Sequence, residues 1–273
     1  MSYIDLHNHC IPALDDGVKN EEESLAMLQC AVKSDIKVMF VTPHREPKGR
    51  FNPDNDEVIK ACRKLRRLAN ANQLKIDVRY GEEFRIKTDS IDLIQNDQVL
   101  GYSGTDYVLA EFTRTNAFSK LIPQAIEAFH QRGKMVLIAH PERYFDDVNE
   151  GVEACRLWVE MGCFLQINRT SLLGVHGVYA EKIAHKLIKQ GLAHVIATDA
   201  HEGVGIRICR LDDIYFIIKK KYGQAIADML FHTNPELLIN NVPLVPILRP
   251  KRHLKLFSYF VSNKKTKKDK NEE

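Results

Sequence analysis

Short apolar segments alternate along the chain with longer segments in which apolar residues recur at helical spacing. Most of the short segments are nearly continuous in apolar character, which is typical of parallel strands buried on both faces. Seven strands are predicted, at residues 3–6, 37–42, 75–80, 107–110, 135–139, 164–167 and 194–198. Helices are predicted at residues 21–34, 55–71, 118–132, 149–161, 179–190, 211–222 and 224–231.

Seven successive strand–helix units indicate a parallel sheet, and they come close to the eight units of a TIM barrel. We therefore predict an α/β fold, a distorted TIM-like (β/α)7 barrel in a single catalytic domain over residues 1–248. A doubly wound open sheet is the alternative. It is disfavoured because no glycine-rich phosphate loop follows any of the predicted strands.

Charge is distributed unevenly over the 273 residues, whose formal net charge is +3. Residues 249–273 carry nine basic and three acidic side chains, and this basic segment is predicted to be a disordered tail. The rest of the chain is mildly acidic, which argues against nucleic acid as the main partner. No apolar segment is long enough to span a membrane, and no secretory signal is visible, so a cytoplasmic protein is expected. The basic tail suggests a peripheral contact with the inner face of the membrane.

Imidazole and carboxylate side chains follow the carboxyl ends of the predicted strands. In a parallel barrel these ends converge on one face, where functional sites are built. Six of the seven strand ends supply such side chains, namely His7, His9 and Asp16, then His44, Glu83, Glu111 and His140, and finally Asp199 with His201.

These residue types are the protein ligands of divalent metal ions such as manganese, iron, zinc and magnesium. Side chains two residues apart on an extended segment point the same way, so His7 and His9 can hold one ion, and Asp199 and His201 repeat the spacing. Adjacent carboxylates leave two assignments open, because Asp15 precedes Asp16 and Glu82 precedes Glu83.

As an ordered set, these motifs resemble the polymerase and histidinol phosphatase (PHP) superfamily, and most closely its manganese-dependent protein-tyrosine phosphatases of bacterial capsule and exopolysaccharide loci. The resemblance covers roughly residues 3–242. The motifs that carry it are His7-x-His9, Asp16-Gly17, Thr42-Pro43-His44, Gly81-x-Glu83, Glu111-Phe112, His140-Pro141-Glu142-Arg143 and Thr198-Asp199-x-His201.

The resemblance implies a centre of three Mn²⁺ ions, without excluding Fe, Zn or Mg. The first ion would be held by His7, His9, Glu83 and Asp199, the second by Glu83, Glu111 and His140, and the third by Asp16, His44 and His201. Arg143 and Arg207 would bind the phosphate. The implied substrate is phosphotyrosine on protein, carried by the phosphorylated tail of a bacterial tyrosine kinase, and a metal-activated water would be the nucleophile.

Two other activities compete with this interpretation. A PHP phosphatase acting on a small phosphate ester such as histidinol phosphate would use the same ligand set. A thiol-dependent tyrosine phosphatase is suggested by the spacing of Cys163 and Arg169. The thiol mechanism is disfavoured because the five residues between them form a predicted strand without glycine, whereas a phosphate-binding loop needs backbone N–H groups turned towards the ligand.

Overall fold

The computed structural model of the chain describes residues 2–115, 117 and 119–247. The predicted tail at 249–273 lies outside the described residues, as does the first residue of the helix predicted at 118–132. The domain boundary at residue 248 therefore stays a prediction.

All seven predicted strands are present, and two short strands accompany them. The strands are β1 (Tyr3–Asn8), β2 (Ile36–Val41), β3 (His44–Arg45), β4 (Asp77–Tyr80), β5 (Glu83–Arg85), β6 (Tyr107–Glu111), β7 (Met135–Ile138), β8 (Phe164–Asn168) and β9 (Val195–Ala197). Strands β3 and β5 continue the paths of β2 and β4 after two-residue interruptions, and each of the two begins with a predicted metal ligand.

Every strand pair is parallel, which confirms the predicted class of sheet. One ladder has the order β1-β2-β4, and the second has the order β3-β5-β6-β7-β8-β9. The last strand returns to the first beyond its carboxyl end, where Asp199 N donates to His7 O (2.8 Å) and His9 N donates to Ala200 O (2.8 Å). The sheet is therefore curled into seven strand positions, as the prediction of a distorted (β/α)7 barrel requires.

The seven predicted helices follow the strands with small differences at their ends, and three further short helices in the described part of the chain were not predicted. The helices are α1 (Glu21–Lys33), α2 (Asn55–Ala71), α3 (Ser90–Gln95), α4 (Leu121–Gln131), α5 (Val148–Glu160), α6 (Arg169–Leu172), α7 (Val178–Gln190), α8 (Asp212–Tyr222), α9 (Gln224–Asp228) and α10 (Asn234–Ile239). A 3₁₀ turn covers Pro141–Arg143, and a π-helical turn covers Met229–Thr233. Helix α2 begins with a capping box, in which Asp54 and Glu57 each accept from the other's backbone N–H.

Two buried apolar clusters stabilise the sheet from its two faces. Along β6 and β7, Leu109 and Leu137 belong to the smaller cluster, whereas their neighbours Val108 and Val136 belong to the larger one. Since successive strand residues point to opposite faces, the smaller cluster fills the inside of the curled sheet and the larger one packs beneath the helices. Apolar packing holds the strand ends in place, so the polar residues beyond them form a defined site.

Candidate metal centre

The carboxyl ends of the strands bring all nine predicted ligand residues into one polar cluster. Four overlapping groups have their ligand atoms within 4.8 Å of one another. These groups are His9, Asp16, His44 and His201; then His7, His140 and Asp199; then His7, His9 and Glu83; and finally His44, Glu83 and Glu111. The prediction that distant segments deliver these side chains to a shared rim therefore agrees with the geometry.

The innermost part of the cluster is formed by two histidines at the carboxyl end of β1, His7 and His9. Their Nε2 atoms lie 3.2 Å apart. The Nε2 atom of His7 is 3.2 Å from Glu83 Oε2, and that of His9 is 3.4 Å from the same oxygen. Asp199 Oδ1 lies 3.5 Å from His7 Nε2 and 3.3 Å from His9 Nε2. Four donor atoms from β1, β5 and the segment after β9 thus surround one small space.

The hydrogen bonds on the far side of these two rings show that the space suits a cation. His7 Nδ1 is 3.0 Å from Gln166 Oε1, and His9 Nδ1 is 2.7 Å from Asp15 Oδ2. Both partners are acceptor atoms, so each Nδ1 carries a proton and Nε2 is the ring nitrogen left for a metal ion. Burial lowers the pKa of both imidazoles, but the carboxylates around them outweigh burial and raise it, so positive charge is favoured between these rings. A divalent ion can supply that charge in place of protons, so the donor set fits a metal.

Glu83 occupies the middle of the cluster and is fully buried. Its Oε1 lies 2.7 Å from His140 Nε2, while its Oε2 lies 2.9 Å from His44 Nδ1. Glu111 Oε2 is 3.9 Å from the same His44 atom. A carboxylate with imidazoles against both oxygens has the placement of a bridging ligand. The structure groups Glu111 with His44, whereas the resemblance pairs Glu111 with His140, and the division of ligands among ions stays a prediction.

Asp16 marks the open side of the cluster. Its Oδ1 lies 3.4 Å from His44 Nε2 and 3.5 Å from His201 Nε2. The Asp16 side chain is 51% exposed, whereas those of His44 and His201 are 10% and 9% exposed. Because the groups around Glu83 are buried, a substrate reaches the cluster from the Asp16 side.

The protonation states of two members match those of metal ligands. Burial and the neighbouring Arg143 guanidinium lower the pKa of His140 to about 3, so its imidazole is neutral at physiological pH. Burial raises the pKa of Asp199, but its imidazole neighbours and Arg207 outweigh burial and hold this pKa well below its usual range. A neutral imidazole and an ionised carboxylate are the forms that bind metal.

The two adjacent carboxylates that the sequence left open have different partners. Besides His9, Asp15 accepts from the backbone N–H groups of Gly17 (2.9 Å) and His44 (3.0 Å), so it supports the ligands from behind. Glu82 accepts from Arg45 Nη1 (3.2 Å) and from Leu100 N (2.9 Å). Neither belongs to the groups of candidate ligands in the described part of the chain. Asp16 and Glu83, the residues predicted as ligands, are the ones that reach the cluster.

Two of the strand-end residues have left-handed backbones. The φ angles of His140 and Asp199 are 32° and 49°. Non-glycine residues rarely adopt this region, and such strain is concentrated at functional sites. Here the reversed backbone turns each side chain back over the end of its strand.

Both predicted phosphate-binding arginines lie at the rim of the cluster. Arg143 Nη1 and Arg207 Nη2 donate to the same oxygen, Asp199 Oδ2, at 3.0 and 3.1 Å. Their side chains are 31% and 29% exposed, so each guanidinium retains N–H donors for an incoming anion. Their role as phosphate ligands stays a prediction.

Sequence reasoning missed side chains that support the ligands. Arg85 donates to both oxygens of Glu111, from Nε at 2.6 Å and from Nη2 at 3.1 Å. Gln166 and Asn168 were also missed. Both are fully buried on β8, and polar side chains in an otherwise apolar strand were the available signal.

The rejection of the thiol mechanism agrees with the structure. Cys163 is 1% exposed, and burial raises the pKa of its thiol to about 12. Arg169 donates to Asp213 and to Ile206 O, so its guanidinium is engaged in a structural contact. This cysteine has neither the thiolate nor the access that a nucleophile needs.

Comparison with known proteins gives a consistent result. The profile of a protein family described as capsular polysaccharide synthesis, CpsB/CapC, matches residues 3–240. Tyrosine-protein phosphatase YwqE of Bacillus subtilis is 29% identical over 261 residues, which cover 94% of this chain and 100% of that protein. Tyrosine-protein phosphatase CpsB of Streptococcus pneumoniae is 28% identical over 241 residues, which cover 86% and 98%. A crystal structure from work on these two proteins, described there as metal-dependent tyrosine phosphatases, superposes with a TM-score of 0.79 at 28% identity, covering 90% of this chain and 100% of the other.

Proposed function

The chain belongs to the CpsB/CapC family of capsular polysaccharide synthesis proteins, and from this premise we propose that it is a metal-dependent phosphatase that hydrolyses phosphotyrosine in proteins. The predicted family and enzyme class are confirmed, since the relatives that span most of this chain are named tyrosine-protein phosphatases. One observation of the structure carries the proposal. Eight imidazole and carboxylate side chains from several strand ends meet around the buried Glu83, beside two partly exposed arginines.

The metal we propose is Mn²⁺, with three ions in the centre. The residues that would hold them are His7, His9, Glu83 and Asp199 for the first, Glu83, Glu111 and His140 for the second, and Asp16, His44 and His201 for the third. When bound, the ions supply the Lewis acidity that lowers the pKa of water and offsets the charge of a phosphoryl group. The absence of thiolate from the candidate ligand groups supports a metal of this class over a soft one.

The protein's own contribution is to orient the phosphate and to keep it at the open side of the cluster. We propose that Arg143 and Arg207 bind the non-bridging phosphoryl oxygens, because a planar guanidinium can donate two parallel hydrogen bonds to phosphate. Both arginines are already held by Asp199, which limits the entropy lost when substrate binds. The phosphoryl group would then lie between these arginines and the half-exposed Asp16.

Hydrolysis by water, without a covalent phosphoenzyme, fits the remaining chemistry of the site. Of the six cysteines, five are buried and Cys30 is partly buried. The candidate ligand groups contain no thiol. The imidazoles and carboxylates of the centre are engaged with one another or with supporting groups, so a water is the remaining nucleophile.

We propose the phosphorylated tail of a bacterial tyrosine kinase as the substrate. The family description, capsular polysaccharide synthesis, and the tyrosine phosphatase relatives support a substrate of this kind. Cytoplasmic residence and membrane contact through residues 249–273 stay predictions, and the tail lies outside the described residues. Within the described part of the chain, no helix combines the length and apolar character needed to cross a bilayer.

The test is the rate of phosphate release from a phosphotyrosine peptide after chelator treatment and reloading with Mn²⁺, Fe²⁺, Zn²⁺ or Mg²⁺. We expect the chelated protein to be inactive, Mn²⁺ to restore the rate best, and His140→Ala to lower kcat/KM at least about 100-fold through loss of a metal ligand. Cys163→Ser is the matched control and should keep the wild-type rate. A faster rate on histidinol phosphate would favour the small-ester alternative, and full activity in chelator would refute the metal mechanism.

A further inference from the structure

Strand β8 carries two polar side chains that connect two neighbouring ligands of the metal centre, His7 and Asp199. Gln166 Oε1 accepts from His7 Nδ1 (3.0 Å) and from the backbone N–H of His140 (3.2 Å). Gln166 Nε2 donates to Asn168 Oδ1 (2.7 Å), and Asn168 Nδ2 donates to Asp199 Oδ2 (2.6 Å). All five residues are buried, with exposures between 0% and 2%. The two amides therefore connect His7 and Asp199 without water.

The orientation of both amides is determined by the groups at the two ends of this chain of hydrogen bonds. A backbone N–H can only donate, so the Gln166 atom that faces His140 must be the oxygen. An ionised carboxylate can only accept, so the Asn168 atom that faces Asp199 must be the nitrogen. The Gln166 NH₂ group then meets the Asn168 oxygen, and neither amide can flip without placing like atoms together.

This order determines the tautomer of His7. Because Gln166 presents an oxygen, His7 Nδ1 must carry a proton, so Nε2, which faces His9, Glu83 and Asp199, is the ring nitrogen that can bind an ion. The same relay holds the carboxylate of Asp199, whose Oδ1 faces the two histidines. We infer that Gln166 and Asn168 are positioning residues, which set the His7 tautomer and the Asp199 orientation together and so preorganise the buried part of the centre for a divalent ion.

The inference rests on the metal centre of the proposed function, so the readout is metal retention and not activity alone. Full-length protein loaded with Mn²⁺ is titrated with a competing chelator to obtain the Mn²⁺ dissociation constant. Gln166→Met keeps the size of the side chain but removes all three of its hydrogen bonds. Supporting contacts of metal ligands typically contribute 10- to 100-fold in affinity, so we expect Gln166→Met to release Mn²⁺ about 10- to 100-fold more readily.

The two amides act as one relay, which adds two expectations. Asn168→Ala should weaken Mn²⁺ binding by a similar factor, and the double variant Gln166→Met/Asn168→Ala should be little weaker than the worse single variant. Gln166→Glu can still accept from His7, but its second oxygen repels the Asn168 oxygen. This variant should therefore restore only part of the affinity lost in Gln166→Met.

A second buried amide provides the matched control. Asn234 is fully buried near the amino-terminal end of β9, where its Nδ2 donates to His194 O (2.8 Å) and to Val245 O (2.9 Å). Asn234→Ala should lower the melting temperature as much as the β8 variants do and leave Mn²⁺ affinity within about twofold of wild type. The relay alone would be overturned if Gln166→Met bound Mn²⁺ as tightly as wild type does. It would also be overturned if the loss of Mn²⁺ affinity in the double variant equalled the product of the two single losses. A wild-type protein that binds no divalent ion would overturn the proposed function and the relay with it.

Discussion

Arg45 and Glu82 form a buried ion pair directly behind the metal centre, and breaking it should cost several kcal/mol. Their side chains are 10% and 0% exposed, with Arg45 Nη1 3.2 Å from Glu82 Oε2. The same nitrogen donates to Asn55 Oδ1 (2.7 Å) and to Gln98 O (2.6 Å). The pair thus connects β3, the start of α2 and the loop before β6.

The expected size of the effect follows from what each substitution leaves behind. Burial raises the pKa of Glu82 to about 7 even beside the Arg45 guanidinium. Arg45→Met leaves the Glu82 carboxyl buried with one hydrogen bond among the described residues, from Leu100 N at 2.9 Å. Removal of one partner from a buried pair typically destabilises a protein by about 3–5 kcal/mol, because the other group stays buried as an uncompensated charge or must take up a proton. Replacement of both partners by apolar residues of similar size is commonly neutral. The free energy of unfolding of Arg45→Met/Glu82→Leu should therefore lie within about 1 kcal/mol of the wild-type value and well above that of Arg45→Met alone.

The assay is urea unfolding at pH 8, followed by the fluorescence of the single tryptophan, Trp158, at a fixed concentration of Mn²⁺. The exposed pair Lys60–Asp56, at 3.8 Å with side chains 70% and 78% exposed, is the control, and Lys60→Met should change stability by less than about 0.5 kcal/mol. The double variant should also keep its Mn²⁺, because Glu83 and not Glu82 faces the cluster. A loss below 1 kcal/mol in Arg45→Met, or a double variant as unstable as that single one, would refute the reasoning.

Three further predictions concern pH, backbone packing and the rim of the site. Burial lowers the pKa of His194 to about 4 from 6.5, so only the unfolded chain gains a proton between these pH values. The free energy of unfolding should therefore decrease by up to about 3 kcal/mol as the pH falls through this window. Urea unfolding of the chelated protein measures this decrease, which should be smaller for His194→Asn. A Cβ at Gly203 would lie 2.6 Å from the Ala26 side chain. Gly203→Ala should displace the loop that carries Arg207 and lower kcat/KM at least about 10-fold, whereas an unchanged rate would contradict this packing. The Phe51 ring lies 6.2 Å from that of His44, at an interplanar angle of 17°. Phe51→Ala should therefore raise KM for phosphotyrosine peptide about fivefold and affect a small alkyl phosphate less, and equal effects on both would argue against ring contact.

Most residues of the metal centre could be predicted from the sequence before the fold was known. Each predicted ligand lies at or beyond the carboxyl end of a predicted strand, and the carboxyl ends of parallel strands share one face of a barrel. The two histidines at the carboxyl end of β1 and the aspartate and histidine after β9 could therefore be grouped although almost the whole chain separates them. Residue type, local spacing and the order of the elements were sufficient, because all three are local properties of the sequence.

What tertiary structure decided is which of two neighbouring side chains faces the cluster and what supports it from behind. Asp15 and Asp16, like Glu82 and Glu83, have the same chemistry and adjacent positions, and only the path of the backbone assigns one to the metal centre and the other to structural contacts. The relay through Gln166 joins residues 159 positions apart in the chain. Such contacts depend on how strands pair and where their backbones reverse, as at Asp199, and no local pattern of polar and apolar residues encodes that pairing.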